Sequence, residues 1–215
     1  MKDNFSDVEQ RVKRYWYTDG IGELAGGGLF LLIGLYFAGH EWSSSNSLVR
    51  TLLDSSLVLL LIGGAYATRW LVNILKTRLT YPRTGYVDYG TSRKDTSSGR
   101  FLTGAIAVGV SMLLVILGKF VGSFDWLPSF TGLLFGIILM TVIARVSGLG
   151  RFFLLGGFCI ILGLALSFSG LPTDYSLALL YGLTGLASML SGGIVLLRYL
   201  RENPILADAE RQNER

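Results

Sequence analysis

Glu23 and Arg69 are the charged residues that stand deepest inside long apolar stretches of this chain. A carboxylate or guanidinium buried alone in apolar surroundings is costly, so each needs a partner or a route to water. Two arrangements satisfy that need. Glu23 and Arg69 tie neighbouring helices together as an intramembrane ion pair, or Arg69 snorkels to a polar boundary while Glu23 reaches water. Asp54 is a third such group, near the start of an apolar run, where it faces water or caps a helix.

Other chemistry is thin. The single histidine, His40, and the single cysteine, Cys159, have no second histidine or cysteine nearby. That argues against a zinc site and leaves nothing to form an internal disulfide. Ser191 needs a base to act as a nucleophile, yet it and His40 belong at opposite ends of their helices. The glycines between residues 77 and 100 do not follow phosphate-loop spacing, and no carboxylate dyad accompanies them. The expectation is a protein that is not an enzyme and carries no cofactor or metal.

The elements that hold these residues follow from composition. Apolar residues make up 51% of the chain and charged ones 16%, against about 25% charged in an average soluble domain. Crossing ~30 Å of hydrocarbon takes about 20 mostly apolar residues. Four charge-free runs meet or approach that length, at 101–118, 126–144, 152–173 and 175–197. Two more, 21–39 and 52–75, are apolar but contain Glu23, and Asp54 with Arg69, respectively. A soluble core helix keeps a polar face, whereas Asp174 is the only charge between 152 and 197. The predicted fold class is all-α, a polytopic bundle of six transmembrane helices.

Orientation comes from the cations. Alternating sides along six spans leaves only Arg50 and Lys119, of 19 lysines and arginines, on one side. The positive-inside rule makes the rich side cytoplasmic, with both termini there. The basic pI of about 9.3 is then a topology signal, and nucleic-acid binding is unnecessary. The predicted segments are a cytoplasmic amphipathic stretch 1–20, transmembrane hairpins 21–76, 101–147 and 148–200, a cytoplasmic loop 77–100 and a tail 201–215. In the first, Phe5, Val8, Val12, Tyr15 and Trp16 recur at helical spacing.

The hairpins repeat. A shift of 129 positions lays Gly27, Gly28 and Gly34 on Gly156, Gly157 and Gly163, and Gly63, Gly64 and Arg69 on Gly192, Gly193 and Arg198. The middle hairpin keeps the separation between Gly104 and Arg145. All three enter and leave on the same side, so an axis along the membrane normal relates them, unlike inverted repeats. The chain thus resembles the bacterial short-repeat membrane proteins that include an acid-resistance protein. Its loop Tyr81-Pro82-Arg83-Thr84-Gly85-Tyr86-Val87 and its ending Arg201-Glu202-Asn203-Pro204 are similar to an uncharacterised family of bacterial six-span proteins. The resemblance implies a multi-pass protein of the bacterial inner membrane and hands over no substrate or catalytic residue.

Function is read from where the polar groups gather. The 77–100 loop interleaves Tyr81, Arg83, Tyr86, Tyr89, Arg93 and Lys94, a mixture suited to lipid headgroups or a partner's acidic surface. Val87 and the tyrosines about Gly85 suit a short strand or hairpin. The leading expectation is a non-enzymatic integral membrane component whose cytoplasmic face engages headgroups or a protein partner. The alternative is a small-solute or ion transporter or channel, assembled as a homo-oligomer through glycine faces, with Ser111, Thr141, Ser188 and Ser191 along a pore.

Overall fold

The computed structural model describes residues 18–43, 47–84, 124–143 and 149–204, and those residues are helices joined by short turns, with no strand among them. Helix α1 covers Ile21–Trp42 and α2 covers Ser47–Leu75. A wide π-helical turn, Lys76–Thr80, carries α2 on into Tyr81–Thr84. Helix α3, Leu127–Ile137, likewise widens over Ile138–Ile143, and α4 (Arg151–Ser167) and α5 (Thr173–Glu202) follow.

Three helices are long and apolar enough to cross a membrane: Ile21–Trp42, Thr51–Arg83 and Thr173–Glu202. Leu127–Thr141 and Arg151–Ser167 are apolar but shorter. The surface is inverted relative to a water-soluble protein. Leu35, Leu59, Ile62, Leu154, Ile161 and Ile194 are all exposed, where a soluble bundle would place charge. The run 101–118, the segment 1–17, the strand expected about Gly85 and the tail beyond Pro204 lie outside the described residues.

Glycines decide which helices meet. In lipid no hydrophobic drive pulls helices together, so association depends on close packing and polar contacts. Helices α1 and α5 run antiparallel along a stripe of small residues seven apart, Gly20, Gly27 and Gly34 against Gly192, Gly185 and Ala178. A β-carbon at Gly27 would stand 2.7 Å from the Gly185 carbonyl oxygen, and one at Gly34 would stand 2.9 Å from that of Ala178. The pair α3–α4 is built the same way, with Gly132 on Gly163 and Gly136 on Gly156. Phe30 of α1, Phe135 of α3 and Tyr181 of α5 then stack together, with ring centroids 4.9–6.0 Å apart. The wide turn of α3 serves packing too. It sets Leu139 and Ile143 against Phe152 and Leu155 at the start of α4.

Two helix ends differ from the apolar runs, and one expected cap is not at a helix end. The helix that carries the run 52–75 continues past residue 76, through the wide turn to Thr84. Proline lacks an N–H and crowds the carbonyl one turn back, and the wide turn just before Pro82 relieves both problems. The run 152–173 is one helix only as far as Ser167, because Gly170 takes a left-handed φ of 70° and Pro172 caps α5. Asp54 falls inside α2, seven residues past its first residue Ser47, so it does not cap that helix.

Candidate functional site

The start of α1 carries the densest chemistry. Gly20, with φ 73°, turns the chain sharply into the helix, a conformation that costs a glycine little. The turn folds Asp19 back beneath the first coil, where its Oδ1 accepts a hydrogen bond of 3.2 Å from the Ile21 N–H. A carboxylate at a helix N-terminus is favoured by the helix dipole. Glu23 stands one turn further on, so both acids project from the same side of α1.

Each acid meets a cation from another helix. Lys76 of the α2 wide turn brings its Nζ to 3.2 Å from Asp19 Oδ2, and the Thr80 hydroxyl donates to the same oxygen at 3.3 Å. Arg151, the first residue of α4, places Nη2 2.5 Å from Glu23 Oε1. Ser191 of α5 donates to Glu23 Oε2 at 2.9 Å. Asp19 is 1% exposed, Lys76 3% and Glu23 8%, so these are desolvated charges. Among the described residues two acids and two cations sum to zero, and that balance makes their burial tolerable. The Arg151 guanidinium also lies 5.3 Å from the centroid of the Phe152 ring.

This arrangement corrects the expected Glu23–Arg69 pair. Glu23 is buried and ion-paired, but with Arg151, while Arg69 is exposed on α2. The half-buried or buried stripe of α2 runs through Gly64, Thr68, Val72, Lys76 and Thr80. Arg69 follows Thr68 and is turned about 100° away from that stripe. The cation on the stripe is Lys76.

The expected headgroup contacts divide. Arg83 turns inward, and its Nη1 donates to the carbonyls of Leu200 at 3.0 Å and Asn203 at 2.7 Å. Those are carbonyls of the α5 terminus that no further helical turn can satisfy. Asn203 adds its own cap, with its side-chain amide donating to the Tyr199 carbonyl at 3.0 Å. Tyr81 is half-buried. Tyr86, Tyr89, Arg93 and Lys94 lie outside the described residues. Replacing Arg83 with alanine should loosen the last turn of α5 by about 1.4 kcal/mol, a tenfold rise in amide exchange there. Arg78→Ala, at an exposed position, should leave that exchange as it is.

No protein-family model, curated protein or solved structure matches this chain. Its chemistry is therefore read from its own geometry.

A second polar contact lies at the opposite end of α1. His40 Nδ1 is 2.8 Å from Asp174 Oδ2, which joins the end of α1 to the start of α5. Imidazole at a helix C-terminus and carboxylate at an N-terminus both agree with the helix dipoles. Tyr36 stacks near the imidazole, at a centroid distance of 6.2 Å. Glu23 and His40 are 17 positions apart on one helix, about 25 Å at the helical rise of ~1.5 Å per residue. Since Ser191 touches Glu23, it is remote from His40, as the spacing predicted. Among the described residues no group of three metal-binding side chains gathers.

Three members of the charged cluster were not foreseen. Asp19 reads as part of the polar N-terminal segment, Lys76 as a boundary cation and Arg151 as a turn cation. The signal for Asp19 is its spacing of four from Glu23 ahead of an apolar run. Lys76 could be found from the fourfold stripe of small and polar residues along α2. Nothing in the sequence marks Arg151 as the partner of Glu23.

Proposed function

We propose that this chain is a non-enzymatic, multi-pass membrane component with three helical hairpins, six spans and both termini in the cytoplasm. In this reading the run 101–118 supplies the remaining span, and the chain is akin to the six-span bacterial family of the inner membrane. The observation that carries the reading is the pairing of Asp19 with Lys76 and of Glu23 with Arg151. A buried cluster of zero net charge, drawn from α1, α2 and α4, clamps helices together and presents no free charge to a substrate. The clamp sits at the cation-rich end. Outside it, arginines and lysines face anionic headgroups, worth about 1 kcal/mol each near the surface. A protein partner with an acidic surface would use the same groups.

A second reading, a small-solute or ion transporter or channel working as an oligomer, draws support from Ser191. That hydroxyl lies on α5 and reaches Glu23 from the bundle, and ionisable groups in spans often mark ion pathways. One pair of experiments separates the readings. Exchanging Arg78, Arg93 and Lys94 for glutamine should strip co-purifying anionic lipid from the protein, as lipid analysis by mass spectrometry would record. Proteoliposomes should show no solute or ion flux above empty vesicles. Selective, saturable flux with lipid retention unchanged in the triple variant would replace the component reading with the transporter one.

A further inference from the structure

The bundle carries a polar cavity at the end opposite the charged clamp. It lies where α3 begins, α4 ends and α5 begins, and its volume is about 150 Å³, room for about five waters at ~30 Å³ each. Asp125, Ser167, Thr173 and Ser176 supply the polar lining, and Leu166 and Leu171 the apolar part. The sharp left-handed turn at Gly170, beside Leu171, folds α4 into α5 and closes one wall.

The polar atoms are arranged as acceptors. The Ser167 Oγ takes a 2.9 Å hydrogen bond from the Ser129 N–H and keeps a second lone pair. The Thr173 hydroxyl points its proton at Asp125 Oδ1, 3.4 Å away, which leaves its own lone pairs free. Ser176 is 1% exposed, and its Oγ has no hydrogen-bond partner among the described residues. A buried hydroxyl in that condition is destabilising unless something in the cavity meets it. Among the described lining residues one, Asp125, is a carboxylate.

We infer that this cavity is a binding site for a small monovalent cation, an alkali ion or ammonium, held by Asp125 and the hydroxyls of Ser167, Thr173 and Ser176. One carboxylate among neutral oxygens matches a single positive charge. A divalent ion would ask for more carboxylates and a fuller shell of oxygens. An anion would meet the Asp125 charge. The negative C-terminal end of α4 is offset by the positive starts of α3 and α5, so the charge preference rests on the Asp125 carboxylate. The assignment goes beyond the component reading and does not rest on it, since a bound cation would be compatible with a static component or with a transporter.

The test is a thermal melt of the full chain in a neutral detergent. Sodium, potassium and ammonium chlorides are titrated separately against choline chloride at matched ionic strength. At least one small cation should raise the melting point saturably, by about 3–6 °C at ten times its dissociation constant. Asp125→Asn removes the charge at an exposed rim position and should abolish the shift; Ser176→Ala should weaken the cation's binding several-fold while the protein stays folded. A shift that choline reproduces, no shift with any of the three salts, or a full shift surviving in both variants would overturn the site. An unchanged shift in the Glu23→Gln protein confirms that it does not arise at the charged clamp.

Discussion

Replacing Arg151 with leucine should lower the stability of the detergent-solubilised protein by about 3 kcal/mol. Breaking a buried pair by removing one partner typically costs about 3–5 kcal/mol, and the lower figure suits a guanidinium that keeps 20% of its surface exposed. The loss comes chiefly from Glu23. Its carboxylate is 5% exposed at the side chain and would be left with the Ser191 hydroxyl as its remaining described partner. The double variant Glu23→Gln/Arg151→Leu should therefore recover much of the stability, because a neutral amide needs no cation. Arg69→Leu provides the contrast. Its side chain is exposed and its substitution should shift the melt little. A destabilised Arg69 variant beside an unaffected Arg151 variant would return the pair to its expected partner and remove the clamp.

The second large effect is steric. Valine at Gly27 should separate α1 from α5 and cost about 3 kcal/mol or more, the upper end of overpacking penalties. The β-carbon alone would come within 2.7 Å of the Gly185 carbonyl oxygen and 2.8 Å of the Met189 backbone nitrogen. Those are backbone atoms of a facing helix and cannot swing aside. Gly185 is the reciprocal site, with Leu31 nitrogen 2.6 Å from its added carbon. Neighbours on the same helix behave differently. A carbon added at Gly26 or Gly28 meets nothing within 4 Å, so alanine there should be neutral or gain the ~1 kcal/mol that separates alanine from glycine in a helix. Melting curves that rank Gly26→Ala and Gly27→Val together would show that the two helices do not approach along this stripe.

These two sites differ in how far the sequence announced them. Repeated glycines in apolar runs mark helices that approach closely, and of the glycines aligned by the 129-residue shift, Gly27, Gly34, Gly156, Gly163 and Gly192 meet the backbone of a facing helix, whereas a carbon added at Gly28, Gly63 or Gly193 meets nothing within 4 Å. Which helix each meets was not readable, because hairpin repeats leave the pairing of hairpins open. Gly27 turns out to face α5, and Gly156 to face α3. Charges followed the same rule. An acid in an apolar run had to be paired, so Glu23 stood out. Its cation comes from 128 positions away in the chain, and proximity along the sequence pointed to the wrong arginine. The end of α4 was a different kind of miss. Counting apolar residues carried the run through Ser169, Gly170 and Pro172, although a glycine followed by a proline is a strong stop signal. Nothing local in the sequence connects His40 at the end of α1 with Asp174 at the start of α5.

In the proposed topology the helices thread through lipid with the charged clamp at the cytoplasmic end and the His40–Asp174 contact at the other. Single cysteines in a Cys159→Ser background, labelled in intact cells with a membrane-impermeant thiol reagent, test it most directly. Trp42→Cys and Ser169→Cys should react from outside, and Arg78→Cys and Arg201→Cys only after the cells are permeabilised. Equal labelling of positions 78 and 169 before permeabilisation would contradict it.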